Sequence, residues 1–314
     1  MRILVAGATG TLGVPLVRAL LRAGHEVVGL ARTPSRQAAI EALGATAVVA
    51  DALDAGGLEA AARRAAPEAV VHALSALPRG GPTKASDLEA TNLLRVTGTA
   101  NLLAAAVAAG ARRLVAESMV FAYGYGDFGT EPLTEDVPLA PPDPAVAAAV
   151  EALRRLERQV LRAERIEGVA LRYGLFYGAG TGSTRAMVAR LRRRMLPLPG
   201  GGHGIGSWIH VHDAATATVA ALQRGRPGAV YNVVDDRPVA WRDFARELAR
   251  VTGAPAPASL PLWLCRLVAP YGTRFLATRL PVSNARARQE LAWTPAFPTY
   301  RDGLAGISAT PARG

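Results

Sequence analysis

The chain has little cysteine, almost no lysine and few aromatic residues. Its single cysteine, Cys265, excludes an intramolecular disulfide framework and any metal or iron–sulfur site built from several cysteines. Lys84 is the only lysine, so the net charge of +11 rests on arginine. Aromatic residues make up 5% of the chain, and none interleaves with the arginines at 154–165 and 190–194 in a way that would stack bases. Those arginines read as solvated helix faces, and no nucleic-acid partner is expected. No apolar run approaches the roughly 18 residues that a membrane span requires. Residues 1–7 enter a strand-like segment at once, which leaves no room for a signal peptide. The expectation is a soluble cytoplasmic protein with no membrane partner, a monomer or a homodimer. No His, Asp and Glu spacing suggests a metal.

What is present is apolar and regularly patterned. Half of the 314 residues are hydrophobic and 19% are charged, which excludes a disordered, collagen-like or coiled-coil chain. Short β-rich runs at 3–6, 26–30, 45–50, 69–73, 113–117 and 169–173 alternate with helical patterns near 11–23, 36–43, 55–65, 86–109 and 145–166. That alternation predicts an α/β fold, a doubly wound parallel sheet of the Rossmann type. The last third predicts strands at 207–211 and 230–234, helices from Asp213 and over 239–251, then short proline-punctuated helices. It reads as a smaller C-terminal α/β lobe, giving a dinucleotide-binding domain over 1–175 and a substrate lobe over 176–314, with 207–235 returning to the core. The tail from Ser308 is expected to fray.

The sharpest motif is Gly7-Ala8-Thr9-Gly10-Thr11-Leu12-Gly13, which follows the first strand and opens the first helix. Gly7 permits the tight turn, Gly10 lets the backbone approach a pyrophosphate, and Gly13 lets the helix pack on the strand. The helix N-terminus then offers its free N–H groups to the phosphates. After the second strand, where an NAD site carries an acid, the chain reads Arg32-Thr33-Pro34-Ser35-Arg36. Two guanidinium groups and two hydroxyls there suit a 2′-phosphate, so NADP(H) is the expected cofactor, with NAD(H) an alternative. Asp51, past the third strand, suits the adenine amino group or the cap of the next helix.

These motifs, together with His72-Ala73-Leu74-Ser75, Val96-Thr97-Gly98-Thr99, Ala122-Tyr123-Gly124, Leu171-Arg172-Tyr173, Tyr177-Gly178 and His210-Val211-His212-Asp213, resemble the extended short-chain dehydrogenase/reductases. The likeness runs nearly the whole length of the chain. It implies cofactor contacts from Thr9, Thr11, Leu12, Ala52, Leu53, Ala73, Leu74, Ser75, Tyr173 and Leu175 besides the residues above. It also implies a serine or threonine after the fifth strand and a Tyr-x-x-x-Lys pair on the following helix. Here the chain departs from the pattern. The hydroxyl position falls on Met119, with Ser118 one residue earlier; the tyrosine falls on Ala149 and the lysine on Leu153.

The candidates for the missing acid are Ser118, Tyr123 and Tyr125 beside the fifth strand and Tyr173 after the sixth. A tyrosine without a cationic neighbour keeps a pKa near 10, so it donates a proton at neutral pH and is a poor base. The expected activity is NADP(H)-dependent hydride transfer to a carbonyl, imine or activated double bond of a small molecule. The alternatives are a sugar-nucleotide epimerase or dehydratase and a non-catalytic NADP(H) sensor.

Overall fold

The computed structural model describes residues 1–78, 80–139 and 141–307; the tail from Ser308 lies outside them. Six strands, β1 (Arg2–Ala6), β2 (Glu26–Ala31), β3 (Thr46–Val49), β4 (Ala69–His72), β5 (Arg113–Met119) and β6 (Glu167–Tyr173), alternate with helices. The helices are α1 (Gly13–Arg22), α2 (Pro34–Glu41), α3 (Ala55–Ala65), α4 (Glu89–Leu93), α5 (Thr99–Ala108) and α6 (Ala147–Leu161). Beyond them come β7 (Leu175–Tyr177), α7 (Gly182–Arg192), β8 (Leu198–Pro199), β9 (Ile205–Gly206), β10 (Trp208–His210), α8 (Val211–Arg224) and β11 (Val230–Val233).

The main sheet has seven strands in the order β11-β6-β5-β4-β1-β2-β3, every neighbouring pair parallel. Strand parity explains its two covered faces. Leu4 and Val70 join Leu58, Ala62, Leu102 and Leu156 of α3, α5 and α6. Ile3, Val5, Val71 and Val115 turn the other way, against Leu16 and Leu20 of α1 and Ala217 and Ala221 of α8. The doubly wound sheet is therefore as expected. Its strand order reverses between β1 and β4, which opens a crevice beyond their carboxyl ends.

Two details differ from the sequence expectation. The helix expected over 86–109 is continuous but passes from α4 through a π-helical turn, Leu94–Gly98, into α5. The strand expected over 207–211 is β10, and it pairs with β7 outside the main sheet. Its residues are drawn away by a separate aromatic cluster. Trp208 stacks on Phe244 of α9 (Trp241–Thr252) with ring centroids 3.6 Å apart, and Tyr177 and Trp241 pack edge-on around them. The chain continues through α10 (Leu262–Val268) and α11 (Pro270–Ala277), which bring Tyr271 and Phe275 back toward the sheet edge. No described helix is long and apolar enough to cross a membrane.

Candidate active site

A continuous cleft of about 1330 Å³ lies over the crevice, lined on one side by the sheet edge and on the other by α7, Trp208, Trp241 and α11. Gly7, Thr9, Gly10, Thr11 and Leu12 form its floor. The glycines are dictated by geometry. Gly7 has φ +99°, and a Cβ there would stand 2.1 Å from the Ala73 carbonyl oxygen. A Cβ on Gly13 would stand 2.0 Å from the Gly7 carbonyl oxygen, which is why α1 packs so closely on the loop. Among the described residues no side chain caps α1, and its first turn carries no acid. This end of the cleft is a backbone cradle with its positive dipole end open, and it suits a pyrophosphate.

Arg32 and Arg36 both line the cleft beside that cradle, and Arg36 Nη1 donates to Thr9 Oγ1 at 3.0 Å. Thr33 does not reach the cleft; its Oγ1 caps α2 by accepting from the Arg36 N–H. Asp51 and Ala52 line the wall opposite, with Asp51 Oδ1 accepting from the Leu53 N–H at 3.0 Å, while the Leu53 side chain points to solvent. Ala73, Leu74, Ser75 and Leu175 complete the dinucleotide-sized part.

Strand parity sorts the acid candidates. Ser118 is fully buried and turned away from the cleft, its hydroxyl donating to Glu157 Oε1 at 2.7 Å. Glu157 forms two 2.8 Å bonds with Arg172. Burial acts to lower the Arg172 pKa, but the hydrogen bonds and charge of Glu157 hold it above its ordinary value. Arg172 in turn lies 4.6 Å from the Tyr123 ring centroid. The Tyr123 hydroxyl donates to the Thr134 carbonyl at 2.9 Å and meets the Asn232 amide. Tyr173 is equally enclosed, its hydroxyl 2.7 Å from Thr218 Oγ1. Ser118, Tyr123 and Tyr173 thus belong to the packing behind the cleft and do not line it. Of the four, Tyr125 lines the cleft.

Met119, Ala149 and Leu153, which stand where the resemblance places the hydroxyl, the tyrosine and the lysine, do line the cleft. The family positions are in place and carry apolar side chains. The polar groups here are ones that sequence reasoning missed. Glu117 reaches the wall from β5, Arg95 from the π-helical turn and Tyr271 from α11. Burial pushes the Glu117 carboxyl up to about 7, with the Arg95 charge pulling against it. Burial lowers the Arg95 guanidinium, opposed by Glu117, Tyr125 and Tyr271. Burial and the Tyr271 hydroxyl push Tyr125 well above the usual tyrosine range.

The π-helical turn that presents Arg95 is pinned from below. His72 Nδ1 accepts from the Leu74 N–H at 3.2 Å, so its Nε2 carries the proton toward Thr99 Oγ1 at 2.9 Å. Thr99 Oγ1 then donates to the Arg95 carbonyl at 2.6 Å. Glu117 had a sequence signal, as the only charge in the run 114–119. Arg95 and Tyr271 had none. Among the described residues no cluster of three or more His, Cys, Asp or Glu could hold a metal.

Comparison with known proteins agrees with this geometry. The model of the NAD dependent epimerase/dehydratase family matches residues 3–234. A Streptomyces protein named 3-diazoavenalumate denitrifying reductase is 45% identical over 97% of this chain and 99% of its own. A 2-alkyl-3-oxoalkanoate reductase of Stenotrophomonas maltophilia is 28% identical over 99% of this chain and 100% of its own. Among solved structures, a dTDP-glucose 4,6-dehydratase from Streptomyces venezuelae, with NAD bound, superposes with a TM-score of 0.79 at 24% identity, over 97% of this chain and 95% of that one. A UDP-glucose 4-epimerase from Thermotoga maritima gives 0.78 at 20%, over 98% and 97%.

Proposed function

Since the chain belongs to the NAD dependent epimerase/dehydratase family, we propose that it is an NADP(H)-dependent reductase of small molecules whose hydride acceptor is a diazo group. The observation that carries this reading is the apolar wall of Met119, Ala149 and Leu153. Epimerases and dehydratases begin by oxidising an alcohol and, in this family, draw on the tyrosine and lysine as base, and these three positions offer neither. Replacing a diazo group by hydrogen consumes one hydride and one proton, releases N₂, and neither forms nor consumes an alcohol. The full-length likeness to the denitrifying reductase supports the same choice.

The bound dinucleotide supplies the hydride, and the protein supplies position, exclusion of water and the proton. Gly7, Gly10, Gly13 and the open end of α1 would hold the pyrophosphate. Arg32 and Arg36 would take the 2′-phosphate, and Asp51 the adenine amino group. Ala73, Leu74, Ser75 and Leu175 would flank the ribose and nicotinamide. Residues 1–175 thus carry the cofactor, and the lobe from 176 closes over the substrate through α7, Trp208, Trp241 and α11. Tyr125 gives the second reading its support. A hydroxyl on the cleft wall suits a carbonyl oxygen, so carbonyl, imine or activated double-bond reduction is the alternative.

The deciding experiment follows NADPH absorbance and N₂ release with an ortho-quinone diazide carboxylate, in parallel with a panel of ketones, imines and enones. NADPH loss matched mole for mole by N₂ is the expected result. Turnover of the panel alone would replace the diazo reading with the second one. No turnover of either would favour a dinucleotide sensor.

A further inference from the structure

We propose that Glu117 is the catalytic acid of this cleft, giving the substrate the proton that the reduction consumes; this rests on the reductase reading above. Three observations converge on it. Side chains 117 and 119 of β5 lie on the cleft wall while Ser118 between them is turned away, so the strand delivers a carboxyl and not a hydroxyl. The positions that would carry the family's tyrosine and lysine are Ala149 and Leu153, which surround the same space with hydrocarbon. Among the described residues no donor hydrogen-bonds the Glu117 carboxyl, which is half-buried on the cleft wall. A carboxyl on a cleft wall with no structural partner is free to meet a substrate.

The charged and titratable groups facing it come from four elements. Arg95 approaches from the π-helical turn and Tyr173 from β6. Tyr125, from the loop after β5, and Tyr271, from α11, act on Arg95. Burial raises all three tyrosines, so none of them changes charge near neutrality. Burial brings Glu117 to about 7, where a useful fraction carries its proton. The Arg95 cation opposes that rise and receives the carboxylate that proton transfer leaves behind.

The balance with a diazo substrate is complete. The Glu117 O–H bond breaks and its proton goes to the diazo carbon or to an oxygen conjugated with it, giving a diazonium cation. The C–N bond breaks with its electron pair leaving as N₂, and a C–H bond forms with the hydride of the reduced nicotinamide dinucleotide, which is oxidised. Water returns a proton to Glu117. The acid form is the active one, so kcat/KM should fall about tenfold per unit as pH rises above about 7.

The test compares wild type, Glu117→Gln and Glu117→Asp with an ortho-quinone diazide carboxylate and NADPH over pH 5.5–9. Infrared difference titration of each protein without cofactor accompanies it. Glu117→Gln should lower kcat by about 10²- to 10³-fold, lose the alkaline limb and keep NADPH affinity within about twofold. Glu117→Asp should keep the limb at reduced kcat. The wild-type protein should show a protonated-carboxyl band that disappears across neutral pH and is missing from Glu117→Gln. Wild-type turnover and pH profile retained by Glu117→Gln, or no such band, would overturn the acid role while leaving the reductase reading intact. No turnover by the wild-type protein on any acceptor would overturn the reductase reading and the acid role together.

Discussion

At residue scale, a single step along β5 separates chemistry from architecture. Glu117 and Met119 border the cleft, while Ser118 points behind the sheet to hold Glu157, and Glu157 holds Arg172. Both charges of that pair are nearly enclosed, with side chains 5% and 6% exposed, so the hydroxyl stabilises a carboxylate that water does not reach. Hydrogen bonds to a buried charge contribute about 1.5–3 kcal/mol. Ser118→Ala should therefore lower unfolding free energy by about 1–3 kcal/mol in urea titrations and leave kcat within about twofold of wild type. A kcat loss of 10²-fold with unchanged stability would return Ser118 to the reaction. Parity also explains why the sequence misleads here. Residue type makes Ser118 the natural candidate, whereas the facing of a side chain depends on a strand register that one residue of uncertainty inverts.

At the scale of elements, the turns were legible and the convergence of distant segments was not. The glycine loop can be read because φ +99° at Gly7 and the 2.1 Å approach to Ala73 leave only glycine as a solution. The β2–α2 turn can be read because Arg32 and Arg36 stand where an acid would otherwise sit. Tyr271 could not be placed, since it reaches Tyr125 only after α10 and α11 fold back over the sheet edge. Nor could the π-helical turn, whose place is set by the His72–Thr99–Arg95 chain joining β4 to the helix. The β2–α2 turn yields a prediction of its own. Among the described residues Arg32 makes no hydrogen bond, and it lines the cleft, so its removal costs the fold little. A charge-assisted bond is worth roughly 1.5–3 kcal/mol, so the wild-type protein should bind NADPH at least about tenfold more tightly than NADH. Arg32→Ala should erase most of that gap with NADH affinity unchanged. Calorimetric titration giving equal affinities for the two cofactors in the wild-type protein would remove the basis for NADP(H) preference.

At the scale of the whole molecule, the cleft is a seam. Its floor belongs to the parallel sheet and its roof to an aromatic cluster with a core of its own, in which Trp208, Trp241, Phe244 and Leu248 are buried together. The two cores meet through β10, whose Ile209 belongs to the core of the sheet and whose Trp208 belongs to the aromatic one. A dinucleotide lying along the seam would touch both, so it would bind the folded chain and have no comparable site on the unfolded one. Mass action then fixes the scale: ligand at a hundred times its dissociation constant adds about 2.7 kcal/mol. For a chain of this size that is a rise in melting temperature of roughly 4 °C. At equal concentration NADH, bound about tenfold more weakly, should give about 1.4 kcal/mol less, a gap of roughly 2 °C. Differential scanning fluorimetry over a concentration series measures both. Arg32→Ala should close the gap from the NADPH side, whereas Glu117→Gln, remote from the 2′-phosphate, should leave it open. Identical shifts for the two cofactors would contradict the assignment of Arg32 and Arg36. No shift with either would mean that the seam does not hold a dinucleotide.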